Sequence, residues 1–276
     1  MTKRAFAFAA TFTMTIVLAF ALAVPAIAQA GTANPTVAFK MTADVKNTGS
    51  LTTYPGNRTA LKVKVANKGD QVVVWASTNK KIAKVTQKGV VTAKAPGRCY
   101  IKATVGGSTA QMLVEVTSEK AYWAVQNAFV DKQTKITYSQ TKRMQKYYRD
   151  CSSFVSRCYW DNKLGRRLFA IGGSEGKSWA LPAAAQAQWL DRKGKRVAWK
   201  ACSINKLRPG DTLYFETDYA GKDKTQWRYI DHAALYVGNG FVMDTGGSGG
   251  KGTIGFRWCK YYEKDKSIKF IGRPCP

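Results

Sequence analysis

Residues 148–155 read Tyr-Arg-Asp-Cys-Ser-Ser-Phe-Val. Cys151 stands between an acid and two small hydroxyl residues, and an apolar run follows. The run predicts a helix that opens at Cys151 and continues through Phe154 to Trp160. At a helix N-terminus the macrodipole and the free backbone N–H groups favour a thiolate over a thiol. A thiolate nucleophile needs a base, and the chain contains a single histidine, His232. Cys151 and His232 are therefore the expected partners of one site.

Working outward, the segments around this helix set the fold class. Ala121 to Phe129 has helical apolar spacing. Leu181 to Leu190 is alanine-rich and predicts another helix, with Pro182 in its first turn. Downstream, Leu207-Arg-Pro-Gly-Asp-Thr-Leu-Tyr-Phe215 predicts a turn and a strand. His232-Ala-Ala-Leu-Tyr-Val237 predicts a second strand, Gly238-Asn-Gly240 a tight hairpin turn, and Phe241-Val-Met-Asp244 a third strand. Ile268 to Ile271 is a last strand. Helices first and an antiparallel sheet after is an α+β order. Across that hairpin Asp244 reaches the same side of the sheet as His232. It is expected to accept the imidazole N–H, fix the tautomer and stabilise the imidazolium. The backbone N–H of Cys151 or Ser152 is placed to help form an oxyanion hole.

Asp150-Cys-Ser-Ser-Phe-Val155, Leu207-x-Pro-Gly-Asp211 and Asp231-His-Ala-Ala-Leu-Tyr-Val-Gly-Asn-Gly240 are similar, in order and spacing, to the NlpC/p60 family of papain-like cell-wall peptidases. The resemblance covers roughly Ala121 to Pro276. It implies a papain-like domain that hydrolyses peptide bonds in peptidoglycan stem peptides, often between D-glutamate and a diamino acid. Matched residue by residue, it makes Cys151 the nucleophile, His232 the base and Asp244 the third, orienting residue. Tyr138, Asp150 and Ser152 become the substrate-binding residues; the aspartate in Asp150's place can bind a free amino group of the stem. Two positions depart from the pattern. The third residue is frequently histidine in the family, and the usual Trp-Gly-Gly after the tyrosine is replaced by Ser139-Gln-Thr. Asp231 reads as structural.

Upstream, Thr36 to about Thr117 is all β. Leu61-Lys-Val-Lys-Val65 alternates apolar and basic residues, Asn67 to Asp70 is a turn, and Val72 to Trp75 is a continuous apolar run suited to a buried strand. Ile82 to Val85, Gly89 to Val91, Tyr100 to Val105 and Met112 to Val116 follow at short spacing. Such strands predict a sandwich. Trp75-Ala-Ser-Thr-Asn79, Ile82-Ala-Lys-Val85, Gly89 to Gly97 and Tyr100-Ile-Lys-Ala-Thr resemble the bacterial Ig-like domains of group 2, which implies a spacer or adhesive module. The expected fold is thus multidomain: an all-β Ig-like sandwich followed by an α+β papain-like domain. Its expected divisions are a signal peptide at 1–30, a linker at 31–35, the sandwich at 36–118 and the peptidase domain at 119–276.

The signal peptide is read from Lys3 and Arg4, a long apolar stretch and the small-x-small site Ala28-Gln29-Ala30. It places the mature protein outside the cytoplasmic membrane, secreted or wall-associated, with no stable membrane insertion. The formal net charge of +27, from 44 basic and 17 acidic residues, favours polyanions. After export the expected partners are peptidoglycan stem peptides and anionic wall polymers, with no nucleic acid. Six cysteines occur without a C-x-x-C pair, so neither a metal nor another cofactor is expected. Cys158, Cys202, Cys259 and Cys275 are available for disulfides. Cys151 and Cys158 lie about 10 Å apart along one helix, too far for a bridge. Competing readings are an N-acetylmuramoyl-L-alanine amidase or an acyl transferase on the same residues, or a non-catalytic surface-binding protein.

Overall fold

The computed structural model describes residues 34–41, 48–134, 136–161, 166–172, 180–217, 225–246, 254–258 and 264–276. The expected signal peptide and Cys259 lie outside the described residues. Within 36–116 the strands are β1 (Thr36–Phe39), β2 (Leu51–Thr53), β3 (Arg58–Ala60), β4 (Val63–Ala66), β5 (Val74–Ser77), β6 (Ala83–Val85), β7 (Val90–Ala93), β8 (Gly97–Val105) and β9 (Ser108–Val116). One sheet has the order β2-β9-β8-β5 and another β3-β7-β6, with β1 paired to β4. Leu51, Trp75, Val91, Ile101 and Val114 fill the space between them. The Val72–Trp75 run departs from expectation. Val72 and Val74 are 71% and 52% exposed, and only Trp75 is buried. Side chains alternate between the two faces of a strand, and this sheet is packed on one face only, so half of an apolar run turns to solvent.

After the sandwich come α1 (Glu119–Gln133), β10 (Thr137–Tyr138), β11 (Tyr148–Arg149), α2 (Cys151–Cys158), β12 (Trp160–Asp161), β13 (Arg166–Arg167), α3 (Ala183–Arg192), β14 (Arg196–Ala198), β15 (Thr212–Phe215), β16 (His232–Gly238), β17 (Phe241–Thr245), β18 (Ile254–Trp258) and β19 (Ile268–Gly272). The last six form one antiparallel sheet in the order β14-β19-β15-β16-β17-β18. α1 forms because Ser118 caps it, Glu119 complements the dipole, and Ala121, Ala124, Val125, Ala128 and Phe129 make one apolar stripe. That stripe packs with Phe154 and Val155 of α2, Ala187 and Leu190 of α3, and Leu235, Met243 and Phe270 of the sheet. Ala234, Tyr236 and Val242 face the other side, with Leu207, Leu213 and Ile271. Pro182 serves as the cap residue of α3 rather than lying in its first turn. The expected class holds: an all-β sandwich followed by helices on an antiparallel sheet.

The two parts form one compact unit, Asn34–Pro276. Polar contacts hold them together. Thr117 Oγ1 donates to Pro209 O at 2.8 Å, Arg98 Nη1 donates to Ile204 O at 3.2 Å, and Asn239 Nδ2 donates to Thr48 O at 2.8 Å. Glu115, fully buried, accepts the Asn239 N–H. Among the described residues no helix is long and apolar enough to cross a membrane.

Candidate active site

The chain prepares the start of α2 with its own side chains. Asp150 caps the helix by accepting the Ser153 N–H at 2.7 Å, and the Ser153 hydroxyl accepts the Asp150 N–H at 2.8 Å. This reciprocal capping box is worth about 1 kcal/mol. It fixes the backbone at Cys151, the first helical residue. Phe154 and Val155, both fully buried, anchor the helix against the sheet. Gln186 of α3 adds a buried tie: its side-chain amide donates to Ser152 O at 2.8 Å and to the Ser156 hydroxyl at 3.1 Å. Nothing in the sequence marked Gln186, because a glutamine on an alanine-rich helix reads as a solvated residue.

The hairpin supplies the other half. Asn239 and Gly240 both have positive φ, 48° and 81°, as a two-residue type I′ turn requires. Gly238 pairs with Phe241 across it. Leu235 and Met243 are paired and face the helices, so His232 and Asp244 lie together on the opposite face. His232 Nε2 stands 2.8 Å from Asp244 Oδ2, and Asp244 is fully buried. The N-terminus of α2 reaches the beginning of β16, where Cys151 Sγ lies 4.0 Å from the carbonyl oxygen of Asp231. The Cys151 thiol is also among the groups that raise the His232 pKa. With Nε2 turned to Asp244, Nδ1 is the nitrogen left for the thiol.

The electrostatics follow from these neighbours. Burial by itself pulls the His232 pKa down, but the hydrogen bonds from Asp244 and Cys151 outweigh it and raise the pKa to about 10. The imidazole is therefore held in its protonated form at neutral pH, between the side chains of Asp244 and Cys151. The arrangement suits a thiolate nucleophile, a proton donor for a leaving group and an orienting carboxylate.

Tyr138 is brought to the edge of this site. β10 runs parallel to β11, pairing Tyr138 with Arg149, and the Tyr138 ring lies against Gly246 just beyond β17. The side chains of Asp150 and Ser152, expected to bind substrate, make contacts within the protein. Asp150 is 6% exposed; one carboxylate oxygen takes the cap and the Ser152 hydroxyl, and the other pairs with Arg143 Nε at 2.9 Å. Ser152, 3% exposed, accepts from Arg143 Nη2 at 2.9 Å. The physical reason is that a helix start buried this deeply needs its N–H groups and its carboxylate satisfied within the protein. Arg143 was not singled out in the sequence, since it lies in a basic aromatic segment that resembles a solvated surface.

Asp231 is structural, as expected: its carboxylate accepts the Thr217 N–H at 2.9 Å and the Thr217 hydroxyl at 3.0 Å. So is Asp211, which takes both Arg273 Nε and Nη2 at 2.8 Å and the Arg208 N–H at 2.8 Å. Among the described residues, Cys99, Cys151, Cys158 and Cys275 are free thiols. Burial raises the thiol pKa of Cys99 and Cys158, and raises that of Cys275 to about 11. Among the described residues no group of three or more His, Cys, Asp or Glu is arranged to hold a metal ion.

Among solved structures, the chain is similar to NlpC1 from Trichomonas vaginalis, with 13% identity, 78% of this chain and 71% of that chain covered, and a TM-score of 0.36. It is similar to the NlpC/p60 domain of the peptidoglycan hydrolase SagA, with 16% identity, 55% of this chain and 97% of that chain covered, and a TM-score of 0.33. It is also similar to domains 4 and 5 of the S-layer protein SbsC, with 22% identity, 31% of this chain and 54% of that chain covered, and a TM-score of 0.26. The chain thus spans about half the length of that S-layer fragment. No curated protein matches the chain. The N-terminal sandwich, matched over residues 41–116, is a bacterial Ig-like domain of group 2.

Proposed function

We propose that the protein is a secreted peptidoglycan hydrolase that cleaves stem-peptide bonds through Cys151, His232 and Asp244, with an Ig-like domain ahead of the catalytic one. The observation that carries this reading is the pairing of His232 with Asp244 at 2.8 Å, with Cys151 at the start of α2 set against the beginning of the same strand. Cys151 Sγ attacks the stem-peptide carbonyl carbon and forms a tetrahedral oxyanion next to the N-terminus of α2. As this collapses to a thioester, the C–N bond breaks and His232 passes its proton to the leaving amine. Neutral His232 then takes a proton from water. The hydroxide adds to the thioester, and the thiolate leaves from a carboxylic product. Asp244 keeps the ring in one orientation throughout.

The motif likeness stated above supports the D-glutamyl–diamino acid bond as the target. One observation favours a second reading within the same chemistry. Arg143 fills the Asp150 carboxylate, the group that in the NlpC/p60 pattern meets a free stem amine. A stem still joined to glycan presents an amide there, and cleavage of glycan-linked stems, including by an amidase cut, suits the occupied carboxylate. Digestion of intact peptidoglycan and of glycan-free muropeptides, with the cut located by mass spectrometry, separates these. Products must form with wild type and vanish with Cys151→Ala; lysis that survives the substitution rules the mechanism out.

A further inference from the structure

Where the sandwich meets the second domain there is a cavity of about 540 Å³. Its walls come from both parts: Gly97 and Arg98 at the start of β8, the turn from α3 into β14, and Arg208 and Arg273 beside the Pro-Gly-Asp turn. No acidic residue lines it. Three of its cations are already matched by carboxylates behind the wall: Arg98 by Glu115, Arg196 by Asp191 and Arg273 by Asp211. Four others, Lys193, Lys195, Lys206 and Arg208, line the cavity with no ion pair of their own among the described residues. The matched guanidiniums are also tied to backbone: Arg98 to Ile204 O and Arg273 to Lys206 O. The floor is therefore rigid, and the unmatched ammonium groups stand on it.

Gathering these cations around one concavity raises the local potential, which an entering anion lowers. At Arg208, burial and then the neighbouring Arg273 charge lower the pKa by more than Asp211 raises it. The volume lies in the range that takes a small-molecule-sized ligand. Point-charge lysines next to arginine forks suit phosphate oxygens.

We propose that this interdomain cavity binds a phosphodiester-linked anionic polymer, holding successive phosphates between Lys193, Lys195, Lys206 and Arg208. The choice of a wall polymer over nucleic acid rests on the proposed wall hydrolase; the cavity's preference for a phosphate chain does not. The general positive charge of the chain gives non-specific attraction, and the cavity turns part of it into a defined seat that both domains must build together.

The test is fluorescence anisotropy of labelled poly(glycerol phosphate) with the full chain at physiological salt. Lys193 and Lys206 are exposed, so Lys193→Ala/Lys206→Ala leaves the fold intact, and the exposed pair Lys64→Ala/Lys84→Ala on the sandwich is its charge-matched control. The expected result is a loss of about tenfold or more for the cavity pair and a change under about twofold for the control. Equal losses in both pairs overturn the proposal, because binding is then diffuse charge attraction. Single-stranded DNA of equal charge that binds as tightly, and loses as much in the cavity pair, overturns the choice of polymer. Hydrolysis of a soluble muropeptide is followed in parallel and stays unchanged in both pairs. If wild type hydrolyses nothing yet the cavity pair still loses affinity, the hydrolase reading fails and the phosphate seat stands.

Discussion

The Glu115 carboxylate accepts the backbone N–H of Asn239 at 2.7 Å. Asn239 is the turn residue of the hairpin that carries His232 on one strand and Asp244 on the other. The same carboxylate faces Arg98 Nε at 3.3 Å and accepts the Ser50 hydroxyl at 3.1 Å. The last long strand of the Ig-like domain therefore holds the tip of the hairpin that carries the proposed catalytic base. The sandwich thus braces the hairpin.

Removing that brace has a cost that can be measured. Glu115→Ala leaves a buried N–H and a largely buried guanidinium without their acceptor, so stability falls by about 3 kcal/mol. Glu115→Gln keeps an acceptor oxygen and loses less. Urea unfolding of the two variants checks the order, and a loss under about 0.5 kcal/mol for the alanine variant would show that the contact is incidental.

Gly238 makes the close approach possible. Its φ is +108°, and a Cβ there would lie 2.7 Å from Glu115 Oε2. Gly238→Ala is expected to destabilise by about 3 kcal/mol from backbone strain and overlap together. Its loss should not add to that of Glu115→Ala, because both break the same contact; a double-mutant cycle reads this.

The single histidine gives a clean pH probe. Its pKa is raised from the ordinary 6.5 to about 10, against the effect of burial, by Asp244 and Cys151. A folded-state pKa above the unfolded value means that this group's contribution to stability is fully present below about pH 6.5 and is lost as pH rises through about 10. Activity that needs the imidazolium as proton donor falls over the same alkaline limb. An NMR titration of the His232 ring should show the raised midpoint. Asp244→Asn should move both the midpoint and the alkaline limb of kcat/KM downward; an unmoved midpoint would falsify the role given to Asp244.

Arg143→Ala tests how substrate meets Asp150. With the guanidinium gone, the carboxylate is open to a substrate ammonium. The KM for a stem peptide with a free amino terminus should fall relative to that for the glycan-linked stem, by about threefold to tenfold for one charged contact. Equal effects on both substrates would mean that Arg143 only supports the helix start.

Much of this was legible in the chain because it is local. The cysteine at the helix start, the Asn239-Gly240 turn and the placement of His232 and Asp244 on one face all follow from period, turn chemistry and strand pairing. The misread features are the ones that depend on distant neighbours. Val72 to Trp75 reads as buried until the sheet proves to be packed on one face only. The pairing of Asp150 and Ser152 with Arg143, from a separate loop, leaves no trace in the local pattern either.

By itself, then, the sequence determined the order of a sandwich and an α+β domain, and the residues able to form a nucleophile, a base and an orienting acid. Each of these rests on interactions within a few turns of chain, where residue type dictates backbone geometry. Only the tertiary structure decided what surrounds them: Glu115 under the hairpin tip, Arg143 in the Asp150 carboxylate and the cationic cavity between the domains. Those depend on charges from segments far apart in the chain, and a charge shows its partner only once packing has removed water from between them.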